Sequence, residues 1–272
     1  MKSRKEKTVK REKTIGDHIR NIIMVAAIVV FCYSGYQLIT IFLEYKAGTD
    51  EYKGLTEFIT AAAQEEHQDS EEQEVQEVTE TDDYEVDFAG LQEVNPDVIG
   101  WIRMEAIDII NYPIVQGKDN DQYLHTTFQG AKNGAGAIFM EYTNKSDLTD
   151  QNTFIYGHNM KNESMFGSLK KFHDKATYNI SPYIWIYTPT ATYQYEIFSY
   201  HVAEVNTDSF VNQFEDDETF KQYLDMLQRL SEYDTGVAVD QEDKIITLST
   251  CTNDTSTRFL VHAKLIHVNE KK

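Results

Sequence analysis

The sequence predicts a mainly β domain, a closed or nearly closed β-barrel, behind an N-terminal apolar helix. Three observations predict it. From about Phe88 onward, short runs rich in β-branched and aromatic residues alternate with polar turns: "DIINYPIVQ", "GAGAIFMEY", "NTFIYGHN", "YIWIYTPTATYQYEIFSYHVAEV", "KIITLSTC" and "RFLVHAKLIHV". Between them, "FEDDETFKQYLDMLQRLSEY" carries apolar residues at helical spacing. The last two runs read as a pair of strands, which suits a barrel.

In chain order, residues 1–20 carry eight Lys/Arg against three acids, and residues 21–43, "NIIMVAAIVVFCYSGYQLITIFL", carry no charge. A run of that length spans about 30 Å of hydrocarbon as a helix. The basic flank before it and Glu44 after it place the N-terminus in the cytoplasm. A cleaved signal peptide would have a shorter core ending in small residues. This run ends in "LITIFLEY", so an uncleaved signal-anchor is expected, with the remainder of the chain outside the cytoplasm.

Residues 44–87 read as an extracellular spacer. Its start, "LEYKAGTDEYKGLTEFITAA" with Leu43, looks like a short helical continuation; residues 64–87 hold twelve acids and no Lys or Arg. Such a segment buries too little apolar area to fold, and self-repulsion extends it. Fully stretched it reaches about 80 Å. The globular domain is expected over 88–272. "FAGLQEVNPDVIGWIRM" predicts a short helix, a turn at Asn95-Pro96-Asp97 and a strand. "YIWIY" and "TYQYEIFSY" flank "TPTA" as a hairpin, and the later helix has Phe220, Leu224 and Leu227 inward with Asp216 or Asp217 as its cap. In the last strand Phe259, Val261, Ala263 and Leu265 are expected to fill the barrel, with Arg258, Leu260, His262 and Lys264 on the other face.

The net charge of −20 excludes a broad nucleic-acid surface. Cys32 falls in the apolar helix, so Cys251 has no partner for a disulfide in the exported part, and no close cluster of Cys/His accompanies it for zinc. Nothing in the sequence requires a metal or cofactor. His158 follows an apolar strand beside a glycine, Cys251 ends another strand, and Arg258 opens the next. A nearby cation lowers a thiol pKa, an imidazole exchanges protons with a thiol and a leaving amine, and a guanidinium is a strong donor to an oxyanion. His158 and Cys251 are 93 residues apart. The residues alone therefore leave two readings open, a buried inert cysteine and a nucleophile. Asp254 is read as shaping its loop, with orientation of His158 as the alternative. His125, His173, His201, His262 and His267 are read as structural.

The ordered segments "NPDVIGWI", "YPIVQGKDNDQYL", "GAIFMEY", "FIYGHNMKNESMFGSL" and "IITLSTC" resemble the class B sortases, membrane-anchored cysteine transpeptidases of Gram-positive bacteria. The resemblance covers about residues 91–268. It implies a sortase-like closed β-barrel of about eight strands, with an N-terminal helix and a helix inserted before the seventh strand. It implies Cys251 as nucleophile, His158 as acid/base and Arg258 as donor to the oxyanion or substrate carbonyl. Asn120, Leu124 and Ser249 match substrate-groove positions, and Phe210 the groove's far wall. The loop between Cys251 and Arg258 is shorter than in some class B members.

The activity implied is cleavage of an NPxTx-like sorting motif of secreted proteins after its threonine. The acyl product is then joined to an amine of a peptidoglycan precursor or of a pilin. Two rivals differ in signature. An L,D-transpeptidase sets its cysteine in an SxGCxR-like loop, and a papain-like peptidase has Cys before His, whereas here His158 precedes Cys251. A non-enzymatic membrane-tethered wall-binding barrel would be indifferent to loss of Cys251.

Overall fold

The computed structural model describes residues 15–61 and 84–271, which divide into two compact units between Lys46 and Ala47. The first unit is the greater part of helix α1 (Ile15–Gly54). It is apolar on all sides, with Ile22, Phe31 and Leu38 exposed, and it is long and apolar enough to cross a membrane.

The second unit begins earlier than the expected start at residue 88. The last turns of α1 belong to it: Tyr52 is buried, donates its hydroxyl to the Gly136 carbonyl (2.6 Å) and accepts from the Phe128 amide (3.3 Å). Strands β1 (Ile59–Ala61) and β2 (Tyr84–Val86) pair antiparallel. Most of the expected acidic spacer, residues 62–83, lies outside the described residues. Helix α2 (Phe88–Val94) starts at Asp87, whose carboxylate accepts from the Gly90 amide, and it buries Phe88 and Leu91.

Eight strands then close a barrel: β3 (Val98–Met104), β4 (Asn111–Val115), β5 (Ile138–Met140), β6 (Asn152–Tyr156), β7 (Tyr183–Tyr187), β8 (Ala191–Glu204), β9 (Ile245–Cys251) and β10 (Thr257–Glu270). Their order is β10-β8-β7-β3-β4-β5-β6-β9, sealed by antiparallel pairing of β9 with β10. Pairs β4–β5 and β6–β9 are parallel, and the remaining barrel pairs are antiparallel. Closure leaves no unpaired barrel edge for another chain to extend. The core holds Trp101, Phe154, Tyr187, Tyr195 and Phe259, all fully buried.

Helix α3 (Lys175–Ile180) is a short turn before β7, capped by Asp174. Helix α4 (Asp217–Leu230) is the expected insertion. Asp216 and Thr219 form its capping box, and Phe220, Tyr223, Leu224 and Leu227 lie along one face. That face packs with Phe198, Val239 and Ile245 on the outside of the barrel. Each of these large side chains contributes about 1.5–3 kcal/mol by leaving water.

This covering corrects the reading of β10 as a one-faced strand. Leu260 and His262 are as fully buried as Val261 and Ala263. His262 lies 6.1 Å from the Phe198 ring, within the layer that α4 covers. A second polar layer results. The Thr247 hydroxyl donates to Asn152 Oδ1 (2.9 Å), so it accepts from His262 Nδ1–H at 2.9 Å. His262 is thereby fixed as the Nδ1–H tautomer, and its Nε2 has no partner. The His201 ring stacks on it at 5.2 Å, with its own Nδ1 equally without partner.

Burial pushes His201 down to about 4 and holds His262 well below an ordinary imidazole. In the unfolded chain both take up protons near pH 6.5. Their contribution to stability is therefore complete above pH 6.5 and is lost as pH falls toward the folded-state values. Urea unfolding of the full chain in detergent is expected to show about 2 kcal/mol less stability from His201 at pH 5 than at pH 7.5, with His262 acting in the same direction. Equal midpoints at the two pH values would refute this coupling.

Candidate active site

The parallel β6–β9 pair brings the two distant sequence segments together. Tyr156 lies opposite Ser249, and the Gly157 amide prolongs the ladder by donating to the Ser249 carbonyl at 3.1 Å. A Cβ on Gly157 would fall 2.7 Å from the Phe166 ring, so only glycine lets the chain leave the strand here. His158 is thus delivered to the end of β9, where Ser249, Thr250 and Cys251 stand. The β9–β10 register sets Arg258 directly opposite Cys251. Directly opposed residues on such strands have Cβ atoms about 4.5–5.5 Å apart.

The loop between them is held by its own hydrogen bonds. Asp254 accepts from the Ser256 amide (2.8 Å) and hydroxyl (2.7 Å), which holds its carboxyl below the usual range, and the Thr252 and Thr257 hydroxyls contact each other. Asp254 therefore shapes the loop. The Arg258 guanidinium uses Nη1 to bond the carbonyls of Thr255 and Thr257, both at 2.9 Å. Its Nε and Nη2 make no hydrogen bond among the described residues.

The partner of His158 is a main-chain carbonyl. Its Nε2 lies 2.6 Å from Leu124 O. A carbonyl only accepts, so Nε2 carries the hydrogen and Nδ1 is the nitrogen free to exchange protons. Gly136 makes this geometry possible. It sits at φ +56°, and a Cβ there would lie 2.6 Å from Leu124 O and 3.1 Å from His158 Cδ2. The His125 ring stacks on His158, centroids 5.7 Å apart and planes 16° from parallel. Burial lowers the His158 pKa, the Leu124 bond opposes this, and the charges of His125 and Arg258 lower it further. The ring therefore favours its uncharged form near neutral pH.

These side chains line a cleft of about 310 Å³, with Asn120, Asp121 and Leu124 on one wall and Phe139 and Tyr156 beside them. Asn120 donates to Glu141 Oε2 (2.6 Å) and accepts from the Tyr142 amide (3.1 Å); the Tyr156 hydroxyl donates to the same carboxylate (3.0 Å). Glu141 is buried; burial of the Tyr156 hydroxyl, and after it the charge of Glu141, raise the Tyr156 pKa. Phe210 is the exception among the expected residues. It does not line this cleft, and its ring stacks on Phe154 at 6.2 Å. The sequence reads His125 as structural, whereas the structure stacks its ring on His158. Its contact is with a residue 33 positions away, which no local pattern announces.

The arrangement offers a partly exposed free thiol, an uncharged imidazole with one nitrogen open, and a guanidinium with unspent donors, at one mouth of the barrel. The family model named sortase domain matches residues 102–266. The chain is 40% identical over 181 residues to sortase B of Listeria monocytogenes serovar 1/2a (strain ATCC BAA-679 / EGD-e), a match covering 65% of this chain and 72% of that protein. The crystal structure of sortase B from B. anthracis in complex with AAEK1 superposes with a TM-score of 0.68 at 33% identity, covering 83% of this chain and 99% of the other. The Staphylococcus aureus sortase B–substrate complex gives a TM-score of 0.63 at 32% identity, covering 66% of this chain and 84% of the other.

Proposed function

Because this chain belongs to the class B sortases, a family of cysteine transpeptidases, we propose that Cys251 cleaves an NPxTx-like sorting motif of secreted proteins after its threonine. The single observation that carries the assignment is the convergence of His158 and Arg258 on Cys251 at one barrel mouth. In the first step His158 Nδ1 takes the thiol proton and Sγ attacks the threonine carbonyl. The oxyanion accepts from the unspent Arg258 N–H groups. The C–N bond then breaks, and the imidazolium gives its proton to the departing amine. In the second step an acceptor amine attacks the thioester, the C–S bond breaks, and the amine's proton returns through His158 to the thiolate. Asn120, Leu124 and Ser249 would line the path of the motif. The acceptor is an amine of a peptidoglycan precursor or a pilin.

The apolar α1, with its basic N-terminal flank, supports a single-pass anchor, N-terminus cytoplasmic and barrel outside. The test is intact-mass spectrometry of the protein mixed with NPxTx-, LPxTx- and PPxTx-type peptides, with and without an amine. An adduct of the N-terminal fragment on Cys251, discharged by amine, is expected. A protein that stays unmodified with every peptide would count against the reading. In the same assay Arg258→Ala is expected to slow acyl-enzyme formation about 10²–10³-fold. Arg258→Lys should recover only part, because an ammonium lacks the planar fork of donors. An Arg258→Ala protein that acylates at the wild-type rate would remove Arg258 from the site.

A further inference from the structure

Cys251 and Thr250 also form a wall of a second cavity, about 570 Å³, which opens between the segment after His158 and the start of the loop after Cys251. We propose that this second cleft admits the acceptor, and that it selects an amine whose molecule carries a carboxylate. The inference rests on the transpeptidase reading above and adds the chemical class of its second substrate.

Three observations carry it. The first is geometric. The attacking amine must take the place vacated by the leaving amine, since one step is the reverse of the other in form. The acyl chain still fills the cleft of Asn120 and Leu124 at that moment. The cavity on the opposite side of Cys251 is the space that remains.

The second is charge. In a chain of net charge −20, Lys161 and Lys170 both line this cleft. One nearby acid, Glu163, is shared between Lys170 (3.2 Å) and Lys171 (3.5 Å). Lys161 has no hydrogen-bond or ion-pair partner among the described residues. Lys161, Lys170 and Lys171 against Glu163 and the Glu232 carboxylate leave an excess of one positive charge. His173, also on this wall, is already paired with Glu232 at 2.8 Å. The third is an unspent polar atom. Thr250 is only 4% exposed, yet its hydroxyl has no hydrogen-bond partner, in a wall common to both clefts.

The experiment uses the full chain in detergent micelles, first converted to its acyl-enzyme with a sorting peptide. Discharge is then timed by mass spectrometry with acetyl-alanyl-lysine as the free acid and as the C-terminal amide, which present the same side-chain amine. The free acid is expected to discharge the enzyme about 3–10-fold faster at limiting concentration, the size of one or two exposed ion pairs. The preference is expected to collapse in Lys161→Gln/Lys170→Gln and at 0.5 M salt, where charges at this separation are screened. Equal discharge by acid and amide, or a preference that survives the double substitution, overturns the inference while leaving the transpeptidase reading intact. Failure to form an acyl-enzyme with any sorting peptide overturns that reading, and the inference falls with it.

Discussion

Cys251→Ala is expected to abolish turnover, with a loss on the order of 10⁴-fold or more. The thioester is the only route from peptide to amine in the proposed reaction, so no residual pathway bypasses the sulfur. The substitution removes one partly exposed atom at the end of β9, so the fold and the cleft should survive it. The variant should therefore still bind a sorting peptide while forming no adduct, a pairing readable by fluorescence titration and intact mass together. An alanine variant that still transfers peptide to amine would sink the mechanism.

His158→Ala is expected to cost about 10²–10⁴-fold, toward the upper end because the imidazole moves a proton in each half-reaction. Position and proton exchange can be separated with His158→Gln, whose side-chain amide can still donate to Leu124 O but cannot shuttle a proton. Retention of more than about a tenth of the wild-type rate in His158→Gln would show that holding the site together, and not acid–base exchange, is its contribution. The pH profile gives an independent reading. Burial lowers the His158 pKa below its ordinary value of 6.5, so the uncharged ring needed to accept the thiol proton persists below pH 6.5. The acid limb of acyl-enzyme formation is therefore expected below pH 6.5, with activity lost as pH falls through it.

The parts of the fold that follow from short-range pattern were legible in the sequence. The hairpin around Pro189 forms as β7 and β8, and the helix with Phe220, Leu224 and Leu227 begins at the Asp216 cap. What escaped was non-local. Strands β1 and β2 are three residues each and flank the acidic segment, so neither carries enough alternation to be read, and the compact unit starts earlier still, at Ala47, where the end of α1 docks through Tyr52. Leu260 and His262 looked like an outward face, yet both are buried, and nothing near His262 in sequence says that Phe198, His201 and Thr247 will close around it.

The site divides in the same way. Cys251 and Arg258 are joined by a tight loop, so their opposition follows from hairpin register. The approach of His158 depends on parallel pairing of β6 with β9, across 93 residues, and only the family resemblance anticipated it. Phe210 matches the groove's far wall only through the resemblance, and its ring stacks on Phe154.

The group that fixes the His158 tautomer is the carbonyl of residue 124, an atom every amino acid possesses. A scan that truncates side chains one at a time would pass over position 124 and report only what the leucine contributes to the wall of the cleft. The hydrogen bond itself would persist through any substitution that keeps the turn, so it is protected from genetic drift. Erasing it takes chemistry on the backbone, such as an ester linkage or a thioamide at that peptide unit, or a side chain at Gly136 that displaces the turn.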